Sequence, residues 1–384
     1  MKLLDRMAQL AGYERRDDRA DPSWSAVAQG SGYQGGLSAR AAENLSAVLA
    51  CSTVIATSLA SIPALVYRRQ DESRIEAVGH PLYRITRQGV SEAMTWPDFI
   101  EHLVASALLT GNGLAEILRN ANGGLVGFRY IPWTMVSVLQ LASGRMGYDI
   151  NEGAGRPRRL LQGEVLHLRD RTDGNGIGIS RLARAADTMS TVQAVNMFAR
   201  KFVENSAQPS GFIKSAQSLT SQQVEMLRHQ VNQRYSGAAN AGRVGILDLG
   251  MDWVQAQISP EDAELLESRK FGVEEICRLF QVPPPLVQDY SHNTFTNSET
   301  AGRWFAMFTL APWARKIEAE FARNVFPSSG GYEMELDLSG FLRGDPQTRW
   351  NAHKIAIDTG VLDANEVRQL EGWNPRATPA PKVA

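Results

Sequence analysis

Apolar and polar positions along the chain follow the 3.6-residue period of helices in some segments and the two-residue period of strands in others. Large apolar residues fall at helical spacing in residues 40–63. Short alternating runs, joined by turn sequences such as Asn122-Gly123, occupy much of residues 64–170. The first pattern predicts a packed helix, and the second predicts a mixed region dominated by antiparallel strand pairs. The chain is therefore expected to have an α+β fold.

Two long helices follow, and a small insert separates them. Residues 180–205 form the first predicted helix, whose apolar stripe moves to a different face along its length. Residues 207–258 are predicted as a β-α-β-β insert with a hairpin turn at Gly250-Met251. The second helix is expected to begin after its cap Ser259 and to end before Pro283, since a residue that precedes proline is disfavoured in the α region. The three prolines from Pro283 are predicted to form a short extended rod.

A polar loop and an aromatic helix come after the prolines. No Lys or Arg occurs from Leu279 to Gly302. The residue pattern by itself favours an ordinary solvated loop. The alternative is a surface that lets a polyanion pass without binding it tightly, because Lys and Arg supply most of the affinity for phosphates. The next helix is expected to have Thr296 as its cap and to kink at Pro312, where a backbone hydrogen bond is missing.

Composition limits the classes of function that remain. The formal net charge is −1, so no global basic field attracts nucleic acid. Hydrophobic residues make up 43% of the chain and charged residues 21%, which is ordinary for a folded soluble protein. Cys51 and Cys277 lie in apolar helical contexts and are predicted to be small buried side chains rather than a disulfide or a ligand pair. No catalytic, cofactor or metal motif is found, and the chain is expected to be reduced and intracellular.

Two segments suggest alternative functions. The glycines of residues 173–180 suggest the nucleotide-binding loop of an α/β enzyme, but their GxGxG spacing and the lack of a lysine favour a tight turn before a helix capped by Ser180. Residues 44–67 are uncharged and suggest a membrane-bound assembly protein, but their Ser, Thr and Pro content favours a helix packed inside the protein. His167 lies between two leucines on a predicted strand and is expected to be structural.

Short sequences that match in order give the chain a resemblance to the portal proteins of tailed bacteriophages, from about Asn44 to Pro375. They are STVIATSLASIPALVYRR, HPL, LLTGNGLAEILRNANGGLVGFRYIP, EVLHLRD, GIGISRL, EEICRLFQVPPPLV followed by TNSET, FLRGDPQTRW and GVLDANEVRQLEGWNP. Each is weak alone, and their order makes the resemblance specific. The chain departs from the family pattern at Arg181, where proline is usual, and at Gly113, where a larger residue is usual.

The resemblance implies a non-enzymatic, dodecameric ring at one vertex of a phage capsid, assembled in the host cytoplasm and kept in the virion. Double-stranded DNA would pass through its channel without sequence specificity. The implied partners are other copies of the chain, the terminase large subunit, the major capsid protein with its scaffold, and a head-completion adaptor. The resemblance implies no cofactor, metal or membrane partner.

The resemblance also divides the chain into the regions of the portal fold. These are a mobile N-terminal arm (1–39), an α+β wing (40–180), a stem helix (181–206), a small α/β clip (207–258), a second stem helix (259–282), a tunnel loop (283–296), a kinked helix with a wing strand (297–340), and a short helical crown with a disordered tail (341–384). The implied DNA-facing residues are Gln288, Asp289, Tyr290, Ser291, His292, Asn293 and Thr294. The implied docking surface of the clip comprises Asn240, Arg243, Asp248, Met251 and Asp252.

Overall fold

A computed structural model describes the fold over residues 24–29, 38–70, 73–141, 144–153, 157–172, 174, 176–204, 211–215, 220–226, 229, 251–255, 260–290, 295–326, 330–342, 346–371, 373–374 and 376. Its helices are α1 (Ala39–Ala42), α2 (Ser46–Ser61), α3 (Pro81–Gln88), α4 (Trp96–Thr110), α5 (Arg181–Arg184), α6 (Ala186–Glu204), α7 (Pro260–Phe280), α8 (Phe295–Trp304), α9 (Ala311–Asn324), α10 (Ser339–Leu342), α11 (Pro346–Asp358) and α12 (Ala364–Leu370). Its strands are β1 (Trp24–Gln29), β2 (Ala64–Gln70), β3 (Ser73–Glu76), β4 (Asn112–Arg119), β5 (Leu125–Ile131), β6 (Val136–Leu141), β7 (Met146–Ile150), β8 (Arg158–Leu161), β9 (Val165–Arg169), β10 (Arg171–Thr172), β11 (Gly178–Ile179), β12 (Gly211–Ser215), β13 (Met251–Gln255) and β14 (Tyr332–Leu336).

Antiparallel pairing joins the strands of all the sheets in these ranges. One sheet has the order β5-β4-β9, another has β14-β2-β3, and a four-stranded sheet has β1-β6-β7-β8. The predicted turn joins β4 to β5, where the Asn120 side chain accepts hydrogen bonds from the backbone N–H groups of Asn122 and Gly124. The α+β expectation is confirmed.

The main core lies where α2, α4 and α9 meet the sheet of β4. Phe99 stacks on Phe128, and Phe128 meets Phe321 edge-on, in each case with ring centroids 5.4 Å apart. Met189 of α6 and Phe280 of α7 are buried in the same cluster. The ends of both long helices are thus held by the core of the α+β region, each large buried side chain contributing roughly 2–3 kcal/mol.

The first long helix is interrupted, which corrects the prediction of one continuous helix. Ala185 leaves the helical region (φ −108°, ψ 37°) and separates α5 from α6. Arg181 in α5 donates to the Asp170 carboxylate and to the carbonyl of Leu279 in α7, and α6 also packs on α7. Both parts therefore contact the second long helix, and different neighbours for the two halves stay a prediction. The predicted cap is confirmed, since Ser180 Oγ accepts from the Ala183 N–H at 3.1 Å.

Only part of the insert belongs to the described residues. β12 pairs with β13 in a five-residue register that sets Met251 opposite Ser215. Met251 is therefore a strand residue, and the predicted turn position at Met251 is wrong, because its backbone is already used in this pairing. Residues 221–226 are helical, and the Thr220 N–H donates to the Gln223 side chain at 2.9 Å, as in a capping box.

The prolines after α7 do not form the predicted extended rod. Pro283 is extended (φ −60°, ψ 134°), but Pro284–Val287 form a 3₁₀ turn closed by a hydrogen bond from the Leu286 N–H to the Pro283 carbonyl. The φ of proline suits both conformations. Packing of Leu286 and Val287 against the main core favours the turn.

The aromatic helix also differs from its prediction. It begins at Phe295, so Thr296 lies inside the first turn and is not the cap. The irregularity expected at Pro312 takes the form of a π-helical segment at Phe305–Leu310, in which the Ala311 N–H donates to the Ala306 carbonyl five residues back. This wider segment accommodates a proline ring that would otherwise press on the carbonyl four residues before it.

The uncharged stretch that raised the membrane alternative is divided between a helix and a strand. Residues 46–61 form α2, and the remainder leads into β2. Among the described ranges there is no helix that combines the length and the apolar character needed to cross a bilayer.

Candidate functional site

The start of the loop of residues 283–296 lies where α7 ends against the π-helical segment. Gln281 adopts a left-handed conformation (φ 60°), and its carbonyl accepts a 2.5 Å hydrogen bond from Thr309 Oγ1. Thr309 is buried, and Val282 donates its N–H to the Cys277 carbonyl at 2.9 Å. The exit of the helix is therefore fixed by two polar contacts, neither of which the sequence pattern predicts.

The first half of the loop is anchored, and side chains beyond it reach solvent. The N–H groups of Gln288 and Asp289 donate to the carbonyls of Pro285 and Pro284, both at 3.1 Å. Gln288 is exposed in a left-handed conformation (φ 64°), Asp289 is partly buried, and the Tyr290 side chain is 62% exposed. The other predicted channel residues, Ser291, His292, Asn293 and Thr294, lie outside the described residues.

The predicted docking surface is described only in its backbone at two positions. Met251 and Asp252 lie next to each other on β13, where Asp252 pairs with Lys214 of β12. Asn240, Arg243 and Asp248 lie outside the described residues. Whether the five residues share one surface stays a prediction.

The glycine-rich segment is a β-hairpin that closes on the end of α4. β10 pairs with β11, and a Cβ placed on Gly178 would lie 1.9 Å from the Gly111 carbonyl oxygen. The Gly178 N–H donates to Asn112 Oδ1, and the Gly178 carbonyl accepts from Asn112 Nδ2, both at 2.8 Å. Both backbone groups of Gly178 are thus bound within the fold and are not available to a phosphate. Gly178 has the structural role that the spacing favoured.

His167 is the centre of a buried polar network. Its Nε2 lies 3.0 Å from Asn112 Oδ1, and its Nδ1 lies 3.0 Å from the Tyr148 hydroxyl. Asn112 Nδ2 donates to Gly178, so Oδ1 faces His167 and accepts its Nε2 proton, while Nδ1 accepts from Tyr148. Both ring nitrogens are satisfied by the neutral imidazole. The prediction of a structural histidine is confirmed by these contacts.

We expect acid to destabilise the fold through His167. Burial, helped by the positive charge of Arg169, lowers the pKa of His167 from 6.5 to about 3. Between pH 6.5 and pH 3 the His167 imidazole binds a proton in the unfolded chain but not in the folded chain. The free energy of unfolding therefore falls as the pH falls, by roughly 2 kcal/mol at pH 4.5 relative to pH 7. Denaturant unfolding near pH 4.5 should show proton uptake that His167→Gln lowers by about one proton per chain. Exposed His102→Gln should leave it intact; equal uptake in the His167 variant would contradict the assignment.

The two cysteines meet, although 226 residues separate them in the chain. Both are free and buried, as predicted, and their Sγ atoms lie 3.9 Å apart between α2 and α7. The contact with the Cys277 thiol, together with burial, raises the pKa of Cys51. No spacing rule predicts a contact between residues so distant in sequence.

Mild oxidation is therefore expected to join Cys51 to Cys277 within one chain. The sulfurs need to approach by about 2 Å to reach bonding distance. The reaction should be slow in the folded protein, because both thiols are buried and a dissolved oxidant does not reach them readily. Peptide mapping by mass spectrometry without reductant should find the linked pair, and Cys51→Ser should remove it. Oxidation that yields only links between chains would contradict the packing of α2 on α7.

Comparison with protein families gives one match that covers most of the chain. The family described as phage portal protein matches residues 46–372. The probable portal protein of Streptomyces phage phiC31 is 27% identical over 347 residues, which cover 86% of this chain and 75% of that protein. The portal protein of Enterobacteria phage HK97 is 27% identical over 340 residues, covering 86% and 79%.

Solved structures share the fold. A chain from the neck of an empty gene transfer agent (GTA) particle superposes with a TM-score of 0.60 at 24% identity, covering 85% of this chain and 90% of that one. The crystal structure of an HK97-family phage portal protein from Corynebacterium diphtheriae gives a TM-score of 0.57 at 16% identity, covering 82% and 99%. At these identities the likeness concerns architecture.

Proposed function

The chain belongs to the phage portal protein family, and we propose that it forms a ring at one vertex of a capsid through which double-stranded DNA enters and leaves. The family match over residues 46–372 carries this proposal. One structure of similar fold is described as the neck of a native GTA particle with C12 symmetry, which supports a ring of twelve copies.

We assign the tunnel loop to residues 283–296 and expect it to face the DNA. Gln288 and Tyr290 are exposed beyond a firmly anchored turn, and the loop sequence contains no Lys or Arg. Basic side chains at this place would bind phosphates and hold the duplex. A loop without cationic side chains, on an anchored turn, suits DNA that has to slide.

We assign α5 with α6 and α7 to the stem, and the segment between them to the clip. The clip would be the docking site for the terminase large subunit and for a head-completion adaptor. The wing, which contains the main core, would meet the major capsid protein and its scaffold. The protein would be assembled in the host cytoplasm and remain in the virion. Similar folds come from the neck and the virion of GTA particles, which supports the placement in the virion.

The function is proposed to be non-enzymatic. An α/β nucleotide-binding enzyme would need the backbone groups of the glycine-rich segment for phosphate, yet Gly178 uses both of its groups on Asn112. Ser180 likewise caps the following helix by binding the Ala183 N–H. The contacts within this segment therefore favour the structural function over the enzyme.

Capsid assembly tests the proposal directly. Co-production of the chain with the major capsid protein and scaffold of its own particle should give capsids with one ring at a single vertex, visible by cryo-electron microscopy without imposed symmetry. A chain without its clip, residues 207–258, should still enter the vertex but fail to recruit terminase. Capsids that incorporate the chain at every vertex, or at none, would contradict the proposal.

A further inference from the structure

One face of the helix that follows the loop is apolar and exposed. Trp304, Met307 and Phe308 are 61%, 55% and 62% exposed, and their spacing puts them on one side of the junction between α8 and the π-helical segment. Together they expose on the order of 300 Å² of apolar surface, which is large for a single patch on a monomer. We call this face the aromatic stripe.

A groove of different composition lies between α6, α7 and the start of α2. Its volume is about 1370 Å³, and its apolar lining includes Val192, Val195, Phe271 and Val273. Phe271 is 54% exposed, so the groove also presents apolar surface to solvent. We call it the stem groove.

The stripe and the groove lie on two sides of the last turns of α7. Glu274 lines the stem groove, and it also lines the cleft beside Trp304 and Phe308. The two surfaces adjoin, since Arg278 beside the stripe lies over the ring of Phe271 in the groove. They differ in shape and composition, and a head-to-tail ring requires two different surfaces, because each copy presents one of them to each neighbour.

We infer that the aromatic stripe of one copy packs into the stem groove of the next copy around the ring. This inference rests on the proposed ring and names the contact that would close it. The stripe would be the apolar centre of a larger interface, because its own area is below the ~800 Å² per partner of a standard interface.

Charge supports a second copy as the occupant. Arg315 follows Phe308 by seven residues, about two helical turns, and its side chain is 82% exposed while it pairs with Glu318. The groove is lined by four carboxylates, Asp187, Glu274, Glu275 and Asp289, against the two cations Arg269 and Lys270. This excess of negative charge is complementary to the exposed guanidinium of Arg315, which Asp187 and Glu275 are placed on the groove to meet.

The contact would also position the tunnel loop. Asp289 lines the groove, and Pro283 and Pro284 line the cleft beside the stripe. Neighbouring copies would therefore touch at both edges of the loop. Each loop would be held at a fixed distance from the next around the channel.

The test substitutes each surface separately. Trp304→Ser/Phe308→Ser removes the stripe, and Ile75→Ser/Val126→Ser removes two equally exposed apolar side chains elsewhere, at 52% and 50% exposure. Thr191→Arg places a long cation on the groove wall, and Ser190→Arg places it one residue away on α6, outside the groove. The stripe and groove variants should raise the concentration needed for ring assembly by roughly tenfold or more, while monomer unfolding stays unchanged. The two controls should assemble like the wild type.

Mixing the stripe variant with the groove variant tests whether the contact between copies is head-to-tail. The stripe variant keeps its groove and the groove variant keeps its stripe, so an equimolar mixture should stop at pairs, seen as a mass of two chains. Rings formed by the stripe variant at wild-type concentrations would overturn the inference. A stripe variant whose monomer unfolds more easily than the wild-type monomer would also overturn the inference, because it would show that the stripe is covered by its own chain. If these variants form rings like the wild type, only this contact is wrong; if the wild type forms none, the proposed ring fails with it.

Discussion

A ring with lysine at position 288 is expected to assemble normally and to package far less DNA than the wild type. Gln288 is exposed at the end of an anchored turn, so a longer cationic side chain has room there. In a closed ring one substitution adds a full circle of ammonium groups. Each phosphate contact steepens the fall of the logarithm of the DNA-binding constant with the logarithm of salt concentration by ~0.9. Several contacts together should therefore hold the duplex and lower the yield of DNA-filled heads by roughly tenfold or more.

Gln288→Met is the matched control, because it keeps the length of the side chain and the left-handed backbone position without adding charge. Asn293→Lys tests the second half of the loop in the same way. In a packaging reaction the lysine variants should regain activity as ionic strength rises, since salt screens phosphate contacts. Packaging by both lysine variants at the level of Gln288→Met would count against residues 283–296 as the channel loop.

Asn112→Ala is expected to lower the free energy of unfolding by on the order of 4 kcal/mol. The Asn112 side chain is buried, and it satisfies both backbone groups of Gly178 and the Nε2 proton of His167. Removing it leaves three buried polar groups without partners, each costing about 1–3 kcal/mol. The loss should also loosen the hairpin that leads into α5.

Asn122→Ala is the control, because Asn122 lies in the exposed turn between β4 and β5, where substitutions usually change stability by less than about 0.5 kcal/mol. Urea unfolding followed by tryptophan fluorescence gives both values. A loss of less than about 1 kcal/mol in Asn112→Ala would mean that the network around His167 is not an energetic centre of the fold.

Local signals in the sequence were sufficient where one turn of chain decides the structure. Thr95 caps α4 and Asp363 caps α12, and in both cases the residue three positions on returns a bond to the cap. Glu274 and Arg278 form an ion pair at i,i+4 spacing. These features depend on backbone geometry that neighbouring residues set by themselves.

Features that depend on distant partners were not predictable. The break at Ala185 follows from Arg181 reaching Asp170 and Leu279, and the turn at Pro284 follows from Leu286 and Val287 meeting the core. Within the site, composition and family resemblance indicated the loop. The left-handed Gln281 and Gln288 and the bond from Thr309 depend on the packing of α7 against the π-helical segment.

Electron microscopy of the purified full-length chain, with native mass measured on the same sample, tests the ring most directly. The account predicts closed rings with a central hole wide enough for duplex DNA, a mass that is a whole multiple of 42.2 kDa, and residues 283–296 at the narrowest part of the channel. A mass of 42.2 kDa at every concentration, with no ring in the images, would contradict it.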